Sequence, residues 1–232
     1  MTSALIVAAG KGTRMGPGVD KLFLELNGCP LVAHTWGRFD LAPCIDQIVL
    51  VVRDGMQPAF ADLAKEHSFK KPYRLAAGGK ERQDSVWNGL EALPHDADIV
   101  AIQDAARPCT GPSLIAATIE AARQFGAAVA AQPVADTIKE SHDGQWVERT
   151  LDRSRLWAVQ TPQTFRVELI RRALAEVRQR HLLVTDDTAA CELIGQPVKL
   201  VLCHLPNPKV TRPDDLRYVE LLLRQAECQR ST

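Results

Sequence analysis

Residues 4–16 read ALIVAAGKGTRMG. An apolar run from Ala4 to Ala9 gives way at once to three glycines, two cations and a threonine. A buried strand feeding a phosphate-holding loop would have this form, because glycine lets backbone N–H groups close on an anion whose charge the cations offset. An ordinary strand-to-loop turn with incidental basic residues gives the same pattern when the loop is taken alone. Two better-known phosphate loops do not fit. The dinucleotide fingerprint G-x-G-x-x-G finds Gly10 and Gly12 but then Met15, with Gly16 one residue late, and the P-loop would need glycine and lysine where Met15 and Gly16 stand. What remains is G-x-G-T-R-M followed by Lys21, in which Arg14 offers a planar fork and Lys21 a compact charge.

Further apolar runs follow the first. Strands are expected at 4–9, 45–52, 73–77, 99–103, 127–132 and 198–204, several of them apolar throughout, as strands covered on both faces should be. Between them, apolar residues at spacings of three and four predict helices at 31–39, 58–67, 84–93, 112–125, 166–181, 187–194 and 213–227. Pro112 and Pro213 mark first turns, and Gly126 and Gly195 follow last ones. The alternation predicts an α/β fold, a Rossmann-like, mostly parallel sheet with helices on both faces, in a single domain spanning 1–232. Residues 134–164 break the pattern. They carry no helical stripe and have an Asp143-Gly144 turn signal, so they read as a β-arm projecting from the sheet, a surface excursion or a dimerisation arm.

Composition narrows the function. Of 232 residues, 46% are hydrophobic, enough for a substantial core. Twenty-eight Lys and Arg balance 28 Asp and Glu, so no global field draws in nucleic acid or an anionic membrane. Any anion must be met by local cations. The six cysteines form no C-x-x-C pair and no zinc-like spacing with the six histidines, which points to reduced thiols. No segment approaches the roughly 20 apolar residues of a membrane span, and the opening run lacks the flanks of a signal peptide, so a soluble, cytoplasmic protein is expected.

Four further blocks carry chemistry: GGKERQDSV at 78–86, DAARP at 104–108, TPQTF at 161–165 and KVTRPDDL at 209–216. Asp104 ends a strand, the place where open α/β sheets hold ligands, and a carboxylate there suits Mg²⁺. Taken singly, DAARP also reads as an exposed turn, and GGKERQDSV as a loop and helix cap that Ser85 opens. Together with the opening loop, and in this order, the blocks resemble the nucleotidyltransferases, most closely the 2-C-methyl-D-erythritol 4-phosphate cytidylyltransferases of the non-mevalonate isoprenoid pathway. The resemblance covers nearly the whole chain.

It implies an enzyme that transfers CMP from CTP to 2-C-methyl-D-erythritol 4-phosphate. Arg14, Lys21 and Lys209 would be catalytic, neutralising charge on the phosphates. Ala8, Ala9, Gly10, Gly12, Gly79, Ser85 and Ala105 would bind the nucleotide, and Arg107, Thr137, Arg153, Thr161 and Thr185 the acceptor. Asp104 would serve Mg²⁺. The resemblance also implies a homodimer in which the arm reaches the neighbouring subunit's site. Three positions depart from the family pattern: Val7 and Asp20 where proline is usual, and Lys80 where aspartate is common. The nearest alternative is the same chemistry on another polyol phosphate, such as ribitol 5-phosphate. A glycosyltransferase would need an Asp-x-Asp pair at a strand's carboxyl end, whereas Asp96 and Asp98 precede theirs. A CTP-sensing module without catalysis would not need three phosphate-facing cations.

Overall fold

The computed structural model describes residues 1–10, 12, 15 and 20–228. In chain order it contains β1 (Thr2–Ala8), β2 (Glu25–Leu26), β3 (Cys29–Pro30), α1 (Leu31–Asp40), β4 (Gln47–Val52), α2 (Gln57–Glu66), β5 (Tyr73–Ala77), α3 (Arg82–Glu91), β6 (Ile99–Asp104), α4 (Pro112–Phe125) and β7 (Ala127–Pro133). There follow β8 (Lys139–Glu140), β9 (Arg149–Thr150), β10 (Trp157–Arg166), α5 (Val167–Gln179), α6 (Asp187–Leu193), β11 (Lys199–Leu202) and α7 (Asp214–Cys228). Seven strands form one sheet in the order β11-β7-β10-β6-β1-β4-β5, parallel except for β10.

The buried strands alternate their side chains between two cores. Ala4, Ile6 and Ala8 of β1 face the apolar stripes of α1, α2, α4 and α7, while Leu5 faces those of α3, α5 and α6. This two-sided burial is why β1, β4 and β6 are apolar nearly throughout. From β1 the chain steps outward through β4 and β5, then returns through α3 to β6 on the other side of β1. The reversal opens a crevice at the carboxyl ends of β1 and β6, the topological switch point of such sheets.

The arm expected over 134–164 is shorter at its carboxyl end. Residues 157–166 form β10, antiparallel to both β6 and β7 and inserted between them. Its sequence, WAVQTPQTFR, hides a central strand because Gln160, Thr161, Gln163 and Thr164 are polar, yet the last three of these are buried. The register with β7 shifts between Val159 and Gln163. The irregularity frees the intervening polar side chains to face the crevice. What projects is the β8–β9 hairpin, closed where Asp143 accepts hydrogen bonds from the N–H groups of Gln145 and Trp146. Helix α3 also begins earlier than expected, at Arg82, with Glu81 and Asp84 forming a capping box.

Candidate active site

The crevice is a cleft with two lobes. The larger, about 370 Å³, is lined by Val7 to Gly10 from the end of β1, by Lys21, by Gly79 to Arg82 and Ser85, by Asp104 to Ala106, and by Lys209. The smaller, about 220 Å³, is lined by Arg107, Thr161, Thr185, Asp186, Gln163 and their neighbours. Arg82, Asp104 and Lys209 border both.

Close approach explains the glycines. A Cβ on Gly79 would lie 2.3 Å from Asp84 Cβ and 2.9 Å from that residue's carbonyl carbon, so only glycine lets the loop fold back on the start of α3. There the Gly79 N–H donates to Ser85 Oγ at 3.0 Å, and Ser85 Oγ donates to Glu81 O. Ser85 thus stands in the first turn of α3 rather than opening it, and fixes the loop that walls the larger lobe. Gly12 has φ +63°, and a Cβ there would press on the aliphatic stem of Lys21 at 3.2 Å.

Lys21 begins a short 3-10 turn whose cap is Asp20. The Asp20 carboxylate accepts from Leu22 N–H and pairs with Arg53, so the residue that departs from the family pattern anchors the turn carrying Lys21. Lys21 Nζ donates to Val210 O at 3.0 Å, which brings it beside Lys209 although the two are far apart in sequence.

Asp104 sits at the centre, its side chain 11% exposed. Lys209 Nζ lies 2.7 Å from Oδ2, Arg107 Nε 3.7 Å from the same oxygen, and Arg82 Nε 3.4 Å from Oδ1. Burial pushes this carboxyl upward, but Arg82, Lys209 and Arg107 outweigh it and hold it at about 2. It is therefore ionised under all ordinary conditions, and it is a strand-end group rather than an exposed turn. Arg107 is drawn down by its own burial against the pull of Asp104, and its Nη1 donates to Asn207 O at 2.6 Å. Asn207, itself buried, donates to Thr161 O and to Gln160 Oε1, while Thr161 Oγ1 accepts from Asp104 N–H. One hydrogen-bonded network thus joins the end of β6, the irregular part of β10 and the segment after β11.

The family model of IspD, 2-C-methyl-D-erythritol 4-phosphate cytidylyltransferase, matches residues 2–225. The chain belongs to this cytidylyltransferase family. Relatives of that name are 41% identical in Pelotomaculum thermopropionicum, over 96% of this chain and 94% of theirs, and 44% identical in Geobacillus kaustophilus, over 95% and 96%. The fold is similar to two crystal structures. A 4-diphosphocytidyl-2C-methyl-D-erythritol synthase from Anaerococcus prevotii has a TM-score of 0.85 at 28% identity, covering 96% of each chain. The 2-C-methyl-D-erythritol 4-phosphate cytidylyltransferase of Thermus thermophilus has a TM-score of 0.79 at 32% identity, covering 96% of this chain and 98% of that one.

Of the positions that the cytidylyltransferase resemblance implies, Ala8, Ala9, Gly10, Lys21, Gly79, Ser85, Asp104, Ala105 and Lys209 line the larger lobe, and Arg107, Thr161 and Thr185 line the smaller. Arg14 lies outside the described residues. Thr137 and Arg153 are exposed on the arm and border neither lobe of their own chain; Arg153 instead donates to Ala135 O. Sequence reasoning missed Arg82, Gln163, Asp187 and Asn207. A signal existed for three of them: Arg82 stands inside GGKERQDSV, Gln163 inside TPQTF, and Asp187 follows Thr185 at the head of a predicted helix.

Among the described residues no helix is long and apolar enough to cross a membrane, and no three His, Cys, Asp or Glu side chains gather as a metal cage.

Proposed function

We propose that the chain transfers CMP from CTP to 2-C-methyl-D-erythritol 4-phosphate, forming 4-diphosphocytidyl-2-C-methyl-D-erythritol and pyrophosphate in isoprenoid precursor synthesis. The observation that carries the reading is the two-lobed cleft at the switch point, with Lys209 where the lobes meet and Lys21 lining the larger lobe beside it. Ribitol 5-phosphate as acceptor is not favoured, since the family match runs through the whole site.

CTP occupies the larger lobe. Its base lies against the backbone around Ala8, Ala9, Gly79 and Ala105, where Ser85 holds the loop, and its triphosphate meets Gly10, Gly12 and the cations. The acceptor phosphate enters the smaller lobe beside Arg107, Thr161 and Thr185. It attacks the α-phosphorus in line, forming the new P–O bond as the bond to the leaving pyrophosphate breaks. No general base is needed, because a phosphate monoester with a second pKa of about 6 is already a dianion near neutral pH. Lys21, Lys209 and Arg14 neutralise charge that grows on the α-phosphate and the leaving group, and cations already fixed in place do this with little reorganisation.

Asp104 is the ionised carboxylate that would take Mg²⁺, an ion that needs only one or two protein carboxylates; Lys209 and Arg82, which stand on its two oxygens, would have to yield for the ion to bind. When bound beside Asp104, the ion would supply positive charge to offset that of the phosphates. The arm is assigned to a homodimer, in which Thr137 and Arg153 reach the acceptor lobe of the partner subunit. That neither lines a lobe of its own cleft supports the assignment, as does the exposed apolar pair Trp146 and Val147 at the hairpin's end.

The test is to incubate the protein with each nucleoside triphosphate, Mg²⁺ and a panel of polyol phosphates, and to follow pyrophosphate. Release with CTP and methylerythritol phosphate is expected; faster release with ribitol 5-phosphate would move the assignment to the other acceptor.

A further inference from the structure

Arg82 borders both lobes, yet the reaction above gives it no task. It is the first residue of α3, and its guanidinium lies between two carboxylates, with Nε 3.4 Å from Asp104 Oδ1 and Nη1 2.8 Å from Asp187 Oδ2. Asp187 is fully buried, and its Oδ1 has no hydrogen-bond partner among the described residues. Burial pushes this carboxyl upward and Arg82 opposes the shift. For Arg82 itself, burial works against the charge, but Asp187 and Asp104 together raise its pKa above the ordinary arginine value. A buried carboxylate with one cationic neighbour is a poor way to gain stability, because apolar side chains of the same volume often serve as well. Its use here is in placing the guanidinium.

The surroundings fix Asp187 from two sides. From β10, Gln163 Oε1 accepts the Asp187 N–H at 3.0 Å while Nε2 donates to Asp186 Oδ2 at 2.9 Å. From α3, Gln83 Nε2 donates to Leu182 O at 2.9 Å and its Oε1 accepts from Val184 N–H at 3.0 Å. Two consecutive residues of one helix turn, Arg82 and Gln83, therefore grip the loop that carries Thr185, Asp186 and Asp187. With Asp187 removed, the nearest carboxylate to Arg82 is Asp104. The guanidinium would close on it, compete with Lys209 and Arg107 for its oxygens, and no longer be held free to meet phosphate.

We propose that Arg82 is a further substrate-contacting residue that grips phosphate oxygens where the nucleotide and acceptor lobes meet, and that Asp187 is the positioning residue that holds it there. The proposal rests on the cytidylyl-transfer reading of the cleft.

Three variants test it: Arg82→Gln, Asp187→Asn and the two combined. Each is compared with the wild-type enzyme for kcat, for acceptor KM, for CTP affinity by calorimetry and for melting temperature. Each single change should lower kcat/KM for the acceptor on the order of 100-fold, the scale of one lost electrostatic donor. The double variant should fall within about threefold of Arg82→Gln, because a residue acting only through another adds nothing once its partner is gone. Losses that multiply, or an Asp187→Asn enzyme within about threefold of wild type, would overturn the proposal. If Asp187→Asn does not fold, Arg82→Lys decides. It keeps a cation beside Asp187 but loses the planar fork, so a near-native melting temperature with kcat/KM down about tenfold or more is expected, and wild-type kcat/KM overturns the idea. A wild-type enzyme that releases no pyrophosphate from CTP would overturn the reaction itself and the proposal with it. Indifferent variants of an active enzyme overturn the proposal alone.

Discussion

Asp104 in the cleft and Glu140 on the arm are both carboxylates facing arginine, and both are held below the ordinary carboxylate range. The causes differ. For Asp104, burial works against ionisation and three cations overcome it. For Glu140, the hydrogen bond to Arg149 leads and burial hardly enters, because the pair stands in solvent. The first arrangement fixes geometry: partners drawn from the loop after β6, from α3 and from the segment after β11 can satisfy it only when the fold is complete. The second is local, within a hairpin of two-residue strands, and is screened by water and salt. The body of the molecule thus fixes the charges at the centre of the cleft, while the arm's ion pair is local and the hairpin leaves Trp146 and Val147 uncovered. A region so made is suited to being completed by another surface.

The sharpest way to break this contrast is at Lys21. If the cleft's cations act mainly on the transition state, Lys21→Ala should lower kcat by on the order of 100-fold or more and weaken CTP binding far less. Steady-state kinetics beside calorimetric CTP titration separates the two. A binding loss with kcat intact would place Lys21 on the ground state only.

A smaller effect is expected from the base. The wall made by Ala8, Ala9, Gly79 and Ala105 is largely backbone, and Gly79 leaves no room for a side chain. A backbone acceptor that pairs with the cytosine amine is left unpaired by the uracil oxygen, at about 1 to 3 kcal/mol per buried group, so kcat/KM should fall roughly 10- to 100-fold with UTP. Equal turnover with the two nucleotides would mean that the wall does not read the base.

The same contrast governs what the sequence disclosed. Strands β1, β4, β6 and β7 were legible because both their faces are covered and their side chains are apolar almost without exception. Strand β10 was not, because its polar residues are buried to serve the site: Thr161 meets Asp104, and Gln163 meets Asp186 and Asp187. The cleft residues read from motifs, such as Lys21, Asp104 and Lys209, stand where loops leave strand ends or the last strand. The Arg82–Asp187 pair is joined only by folding, across a helix start and a distant loop, so neither partner carries the contact in its own neighbourhood.

The arm can be made to declare whose site it serves. If Arg153 works in the partner's cleft, each site combines Lys21 of one chain with Arg153 of the other. Homodimers of Lys21→Ala and of Arg153→Ala should then both be nearly inactive. Random pairing of equal amounts makes about half the dimers mixed, and each mixed dimer has one intact site in two, so co-refolding should restore roughly a quarter of wild-type activity. Verified heterodimers as inactive as their parents would return Arg153 to its own chain's cleft.

The smallest effect is expected at the arm's own ion pair. Arg149 and Glu140 are 68% and 43% exposed at their side chains, so water already solvates both, and holding two long side chains in one geometry offsets most of what their attraction contributes. Arg149→Ala should therefore leave the melting midpoint and the pyrophosphate-release rate within experimental scatter, at low and at high salt alike. The contrast with Arg82 is the point of the measurement, since both arginines face a carboxylate but only Arg82 is enclosed with its partners. A clear loss of stability or activity on Arg149→Ala, largest at low salt, would mean that the hairpin is not solvated as one chain alone presents it. The pair would then lie under a covering surface, and the partner subunit would enclose the hairpin's strands as well as its apolar tip.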